Sequence, residues 1–475
     1  MSGHGTEGYV HRVDRLLAQR REAPLRPKPP TLNERPHVII VGAGPAGTFT
    51  AHFLRQHARE LGVDLRMTMF DAKDFTRSGP AGCNMCAGGI TGSLTARMEA
   101  CGIDLPADVI QDRVSGFRLI TTGGSARIRR DGPDNTVATV FRGNGPRFGP
   151  DFAGTNVSFD DSLLEGIEGP DIEILREPVT DIHPVSDPDE PISVSYGRGP
   201  DKLRLHGDLV VGAFGLSGRL SRQLARDGVP YSPPRTVRAC QAELLVGRDY
   251  IRDALHGEIQ VFNLGLPRAS LVAMVPKGDF LTCTMIGRQD LSIDDLLEFL
   301  DHDRVRRRLP RGWEIPNEFC YCHPGIAVTA GIHPYADRLV LVGDAACCRY
   351  YKNGLETAFD SAAIAAHVAM RVGVSAGAFR AHYSDECDRL VNRDNRYGRA
   401  LFRANNVIAG NRAWSRAFLA LCRAGGGKVS TRMREVLWAL FSGDRPYRQI
   451  VKQTLNPRLM FVAAWKALVH TFRRH

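Results

Sequence analysis

Between His37 and about Ser384, short apolar runs alternate with Gly-bearing turns and with segments whose apolar residues recur at helical spacing. This is the pattern of an α/β protein with a largely buried sheet. His37-Val38-Ile39-Ile40-Val41 reads as a buried strand, and Thr48 to about Leu61 as the helix after it. Leu65 to Phe70 reads as a second strand, Glu173 to Val179 as a further one, and Arg338 to Val342 as a strand leading to a helix over Leu355 to Ala369. The flanks differ. Tyr9 to Arg21 is a short amphipathic stretch followed by a stiff Pro-rich linker, Pro24 to Pro30. Beyond Ser384 the pattern is helical, broken at Gly425-Gly426-Gly427, Pro446 and Pro457. No repeat of fixed period is present. The predicted organisation is an appendage over 1–36, a core over 37–384 interleaved with a substrate domain at about 100–160 and about 230–330, and a helical region over 385–475.

Composition narrows the class. At 475 residues, 43% hydrophobic and 24% charged, the chain can bury more than one core. It has no apolar run of eighteen or more residues and no apolar leader near Met1, so the expectation is a cytoplasmic enzyme without a membrane span. Eleven cysteines, an odd number, form no disulfide framework. The net charge of +10 is concentrated in the tail. From Asn395 to His475 there are sixteen Lys and Arg against only Glu435 and Asp444, so the first 394 residues carry about −4.

The first strand leads into Gly42-Ala43-Gly44-Pro45-Ala46-Gly47 and then a helix. At that spacing the first Gly makes a tight turn, the second admits a pyrophosphate to backbone amides, and the third lets helix and strand pack. The helix N-terminus then faces the phosphates. Asp71, 24 residues past Gly47 at the end of the second strand, stands where a ribose diol is held.

Far downstream, Val342-Gly343-Asp344-Ala345-Ala346 ends another strand, with Asn353, Gly354 and Leu355 opening a helix. This resembles the ribityl-binding motif of the glutathione-reductase-type FAD fold. The resemblance implies FAD, with the Asp344 carboxylate on the sugar alcohol and the helix N-terminus facing the flavin. Gly207 to Arg219 resembles the middle motif of the aromatic hydroxylase superfamily, but Phe214 stands where members carry an acid, which weakens the expectation of direct NAD(P)H use. The run Glu173 to Val179, with Val179 at its end, resembles the strand that covers the adenine.

With these motifs in place, the chain resembles the geranylgeranyl reductase family over roughly residues 37–465. The resemblance rests on Cys83-Asn84-Met85-Cys86-Ala87-Gly88-Gly89, on Val275-Pro276-Lys277-Gly278-Asp279, and on Phe441 to Tyr447 with Asn456-Pro457-Arg458. It implies that Cys86 and Ala87 lie beside the flavin. The family's aromatic pair is replaced by Leu271 and Ala273, so a prenyl-binding wall would differ.

Flavin brings its own hydride chemistry, and the protein positions the substrate. Cys86 is the candidate proton partner; its bland reading is a small residue permitting close backbone approach. Cys83 and Cys86 could instead form a redox pair, whereas zinc would need Cys320 and Cys322 at poor spacing. Lys352 could stabilise reduced flavin or be a solvated loop residue. In the tail, Phe461, Trp465, Leu468 and Phe472 can share a stripe bordered by Arg458, Lys466, Arg473 and Arg474, suited either to packing or to anionic lipid. No nucleic-acid module is present. The reading is an FAD-dependent oxidoreductase of a lipophilic or prenyl-like substrate, working with NAD(P)H or another reduced donor. A monooxygenase and a non-catalytic flavoprotein stand as alternatives.

Overall fold

The computed structural model describes residue 32 and residues 34–84, 86–130, 135–146, 157–351, 353–423, 427–458, 460–462 and 465–466. They divide into two compact units, each assembled from three stretches of chain: Met1–Thr76, Asp160–Thr236 and Ala327–Asn395 in the first, and Arg77–Phe159, Val237–Ile326 and Arg396–His475 in the second. The architecture is mixed α/β, with several sheets and a helical C-terminal region.

The first unit is built on a six-stranded sheet in the order Tyr335–Ala336, Leu339–Leu341, Leu209–Gly212, His37–Val41, Arg66–Phe70, Ile172–Leu175. All pairings are parallel except that of the short edge strand Tyr335–Ala336. Val38, Ile39, Ile40 and Val41 are all buried, as a strand covered on both faces requires. The helix that follows spans Pro45–Leu61, three residues earlier than the apolar spacing suggested, because a Pro at its first position is pre-set for helical φ. It ends at Gly62 in the left-handed conformation. It packs on the helix Gly354–Arg371, where the Phe359 ring meets Phe49 and Phe53 edge-on at 5.2 and 5.1 Å.

One predicted strand is corrected. Glu173 to Val179 is two strands in two sheets: Ile172–Leu175 edges the parallel sheet, and Val179–His183 pairs antiparallel with Ile192–Tyr196 in a separate three-stranded sheet. Pro178 lies between them, with no N–H to continue a ladder.

The second unit is built on a seven-stranded sheet in the order Tyr321–Cys322, Cys240–Leu245, Phe280–Gly287, Ala269–Lys277, Ile259–Asn263, Gly116–Thr121, Gly124–Arg129. Alternation decides which core each residue joins. Cys240, Ala242, Leu244, Val272, Met274, Phe262 and Ile120 join one cluster with Phe299 of the helix Ile293–Asp301. Phe117, Leu119, Ile128, Val261 and Val275 join another with Leu419, Met433 and Trp438 from the helices Arg412–Arg423 and Lys428–Ser442. The helical C-terminal region thus covers part of one sheet face, and Trp438 is 2% exposed against Phe117 at 5.0 Å. Among the described residues no helix is long and apolar enough to cross a membrane.

Candidate functional site

In the first unit two turns, each at the C-terminal end of a parallel strand, come together. Gly42 has φ of +111°, and a Cβ there would lie 2.4 Å from the Ala213 carbonyl oxygen. A Cβ on Gly47 would lie 1.9 Å from the Gly42 carbonyl oxygen, so the third glycine is required by helix–turn packing. The Gly44 carbonyl accepts from the N–H groups of Gly47 and Thr48 at 2.9 and 3.1 Å. The Ala46 N–H is left among the outward-facing donors of the helix end, and Pro45 has none to offer. Asp71, at the end of the second strand, braces the turn. Its carboxylate accepts from the Ala43 N–H at 2.9 Å and from the Lys73 N–H at 2.9 Å.

The second turn is Gly343–Ala345, a single 3-10 turn after the strand Leu339–Leu341. Gly343 has φ of +63°, and a Cβ built on it would lie 2.8 Å from the Ala46 side chain. Residues almost 300 positions apart therefore touch with no room for a methyl group. The Gly343 N–H donates to Ser361 Oγ at 2.9 Å, and Tyr231 Oη donates to the Ala345 carbonyl at 2.8 Å, fixing the turn from two sides. The Asp344 carboxylate sits at the start of the helix Gly354–Arg371, 3.7 Å from the position of a Gly354 Cβ. Asn353, left-handed at φ +55°, caps that helix and donates to Glu356 at 2.6 Å, and Leu355 is buried in its first turn. Gly42, Gly44, Pro45, Ala46, Gly47, Asp71, Gly343, Asp344, Asn353, Gly354 and Leu355 all belong to this unit. Val179 is in it too, but opens a strand of the smaller antiparallel sheet.

Cys86 and Ala87 belong to the second unit. Cys86 Sγ accepts from the Gly88 N–H at 3.4 Å, and the Cys86 carbonyl accepts from Gln241 Nε2 at 3.2 Å. Cys83, Cys86, Cys320 and Cys322 line one cavity with Phe141, Gln241, Glu243 and Lys277. Burial pushes the Cys322 thiol up to about 12, with Cys83 nearby adding to the effect, so it stays a neutral thiol at neutral pH. Among the described residues no group of three or more His, Cys, Asp or Glu is placed to hold a metal ion. Lys352 lies outside the described residues, as does most of the predicted stripe from Met460 to Phe472.

Sequence reasoning missed Gln241 and Glu243 and gave Lys277 no role. Their signal was present: Gln241-x-Glu243 and Thr282-x-Thr284 put polar residues at alternate positions of otherwise apolar strands. It also missed Ser361 and Tyr231, whose partners are backbone atoms distant in sequence.

No family model matches the chain, and no curated protein matches it. Solved structures do. A geranylgeranyl bacteriochlorophyll reductase-like protein from Thermoplasma acidophilum superposes with a TM-score of 0.62 at 16% identity, covering 88% of this chain and 98% of that one. A flavoprotein/dehydrogenase from Cytophaga hutchinsonii gives 0.60 at 15% identity over 93% of this chain and 100% of the other. The p-nitrophenol 4-monooxygenase of Pseudomonas putida gives 0.54 at 18% identity over 87% and 99%. The chain shares its fold with these flavoproteins and oxidoreductases.

Proposed function

We propose that this chain is an FAD-dependent oxidoreductase with a glutathione-reductase-type cofactor fold. One observation carries the reading: the Gly42–Gly47 turn and the Gly343–Asp344 turn abut at Ala46, as one dinucleotide cofactor held by both turns would require. The residues fit FAD. The helix end at Ala46 offers amides and a positive dipole end to a pyrophosphate. The Asp71 carboxylate, oriented by two N–H groups, has lone pairs left for ribose hydroxyls. Asp344 would take ribityl hydroxyls, and Gly354 and Leu355 open the helix beside it. Val179 would lie toward the adenine. Bound FAD supplies hydride transfer.

The protein's own contribution is to position and to move protons. Cys86, whose sulfur accepts an N–H, is the proton donor to a substrate carbon in this reading. Hydrophobic substrates of prenyl type are supported by the resemblance at Cys83–Gly89 and Val275–Asp279 and by the reductase-like neighbour. A monooxygenase reading is supported by the motif at Gly207 to Arg219 that resembles the hydroxylase superfamily and by the fold shared with the p-nitrophenol 4-monooxygenase. Anaerobic reduction of the purified protein, scanned across NADPH, NADH, ferredoxin and quinol, tests the first reading. Oxygen uptake coupled to product tests the second. A colourless protein that takes up no FAD sinks both. Cys86→Ala should keep bound flavin and lose turnover; unchanged turnover removes Cys86 from the chemistry. The basic tail, with Met460, Phe461 and Trp465 at 51%, 72% and 58% exposure, is proposed to rest on anionic lipid.

A further inference from the structure

The sheet register of the second unit sets Gln241 opposite Thr284, Glu243 opposite Thr282, and Val275 opposite Thr282, so Gln241, Glu243, Thr282, Thr284 and Lys277 share one face. Most of this polar row is internally satisfied. Thr282 Oγ1 donates to Glu243 Oε2 at 2.6 Å, Thr284 Oγ1 donates to Gln241 Oε1 at 3.1 Å, and Gln241 Nε2 donates to the Cys86 carbonyl. Lys277 is different. Its side chain is 1% exposed, yet Nζ reaches the Cys86 carbonyl only at 3.5 Å and Glu243 Oε1 only at 3.9 Å, and it lies 4.9 Å over the Phe141 ring. An ammonium has three donors, and a close N–H···O contact lies at about 2.7–3.2 Å. Burying the charge is costly unless close acceptors meet it. Thr282 holds Glu243 Oε2, and Oε1 stands 3.9 Å from Nζ. Lys277 instead lines a small cavity of about 30 Å³, which Cys83, Cys86, Cys320 and Cys322 also line.

We propose that this cavity is a subsite for a small carboxylate, or an equivalent anionic oxygen, seated on Lys277 Nζ beside the cavity thiols. A charged acceptor at hydrogen-bond distance supplies what Glu243 and the Cys86 carbonyl do not, and charge-assisted bonds outweigh those to a neutral carbonyl. The site's lining lies wholly within the second unit and includes Cys86, the proton donor of the proposed function, so its test reads alkylation rather than turnover.

The full-length protein can be probed with iodoacetate against iodoacetamide, which differ in one charge. In either case the Cys86 thiolate sulfur forms a bond to the CH₂ carbon, the carbon–iodine bond breaks, iodide leaves, and the thiol proton has gone to buffer. Tandem mass spectrometry reads alkylation at Cys86, with partly buried Cys101 as internal reference. Lys277→Met should lower the normalised iodoacetate preference by roughly tenfold, the loss of one charge-assisted bond. Glu243→Gln, which removes the competing carboxylate, should raise it, and this variant decides the matter if Lys277→Met does not fold. Unreactive acetate should slow alkylation by iodoacetate in the wild-type protein. An iodoacetate preference at Cys86 that Glu243→Gln leaves unchanged, or that acetate does not reduce, overturns the proposal.

Discussion

Replacing Gly343 by Ala tests the meeting of the two turns most directly. The backbone there has φ of +63°, a region that costs an L-residue roughly 1–2 kcal/mol. The new methyl would stand 2.8 Å from Ala46 Cβ, about 1 Å inside the ordinary carbon–carbon contact of about 3.5–4.0 Å. Relief has to come from moving the turn or the helix Pro45–Leu61, and overpacking of this kind costs about 1–3 kcal/mol. The two effects together give roughly 2–5 kcal/mol, a sizeable share of the about 5–15 kcal/mol that holds a typical protein folded. All four tryptophans lie in the second unit, so their fluorescence does not report the first. Urea unfolding followed by far-UV circular dichroism, together with bound FAD per chain from the yellow absorbance, is the suitable assay. Gly343→Ala should lower the urea midpoint and leave less than one FAD per chain. Gly377→Ala is the control, because the nearest atom to its Cβ is Ser375 Oγ at 3.9 Å and no positive φ is involved; it should stay within about 0.5 kcal/mol of wild type. A Gly343→Ala protein with an unaltered midpoint and stoichiometric FAD refutes the reasoning.

Other expectations can be checked in the same way. Trp438→Ala empties a buried site against Phe117 and should cost about 3–5 kcal/mol in urea unfolding, which a surface role for that helix would not produce. His37 is held below its ordinary value of 6.5, first by burial and then by Arg66, so the unfolded chain takes up the proton first as pH falls. Its contribution is therefore present above pH 6.5 and is lost as pH falls from there toward the lowered folded value; His37→Gln should flatten that part of a urea-midpoint profile. Removing residues 457–475 should abolish sedimentation with anionic vesicles, and unaltered sedimentation would count against the lipid proposal.

The first unit, with its two glycine turns, was readable because its signals are local. Strand, glycine turn and helix stand in sequence at His37–Leu61 and again from Leu339 to Arg371, and chain stereochemistry alone fixes what each can do. The apparent strand Glu173–Val179 misled because a run of strand-forming residues does not show which sheet each end joins; Pro178 was the available warning. The cavity around Lys277 was less legible. Gln241, Glu243, Lys277 and Thr282 come from three strands, and only the register of an antiparallel sheet puts them on one face. The tail's aromatics were ambiguous for another reason: amphipathic spacing marks a face but not its neighbour. Packing resolves it residue by residue, with Trp438 buried and Trp465 exposed.

The threading of each unit from three stretches bears on biosynthesis. The central strand His37–Val41 leaves the ribosome early, but Leu339–Leu341, which pairs with the far side of Leu209–Gly212, follows about 300 residues later. At ordinary translation rates that interval lasts roughly 15–60 s. For the last part of it, the roughly 130 residues made after Gly212, the edge of Leu209–Gly212 has no native partner, and the apolar side chains of the nascent sheet stay uncovered. A growing chain of this topology should depend on holdase chaperones until its last third emerges, and slowing elongation near residue 330 should increase its aggregation.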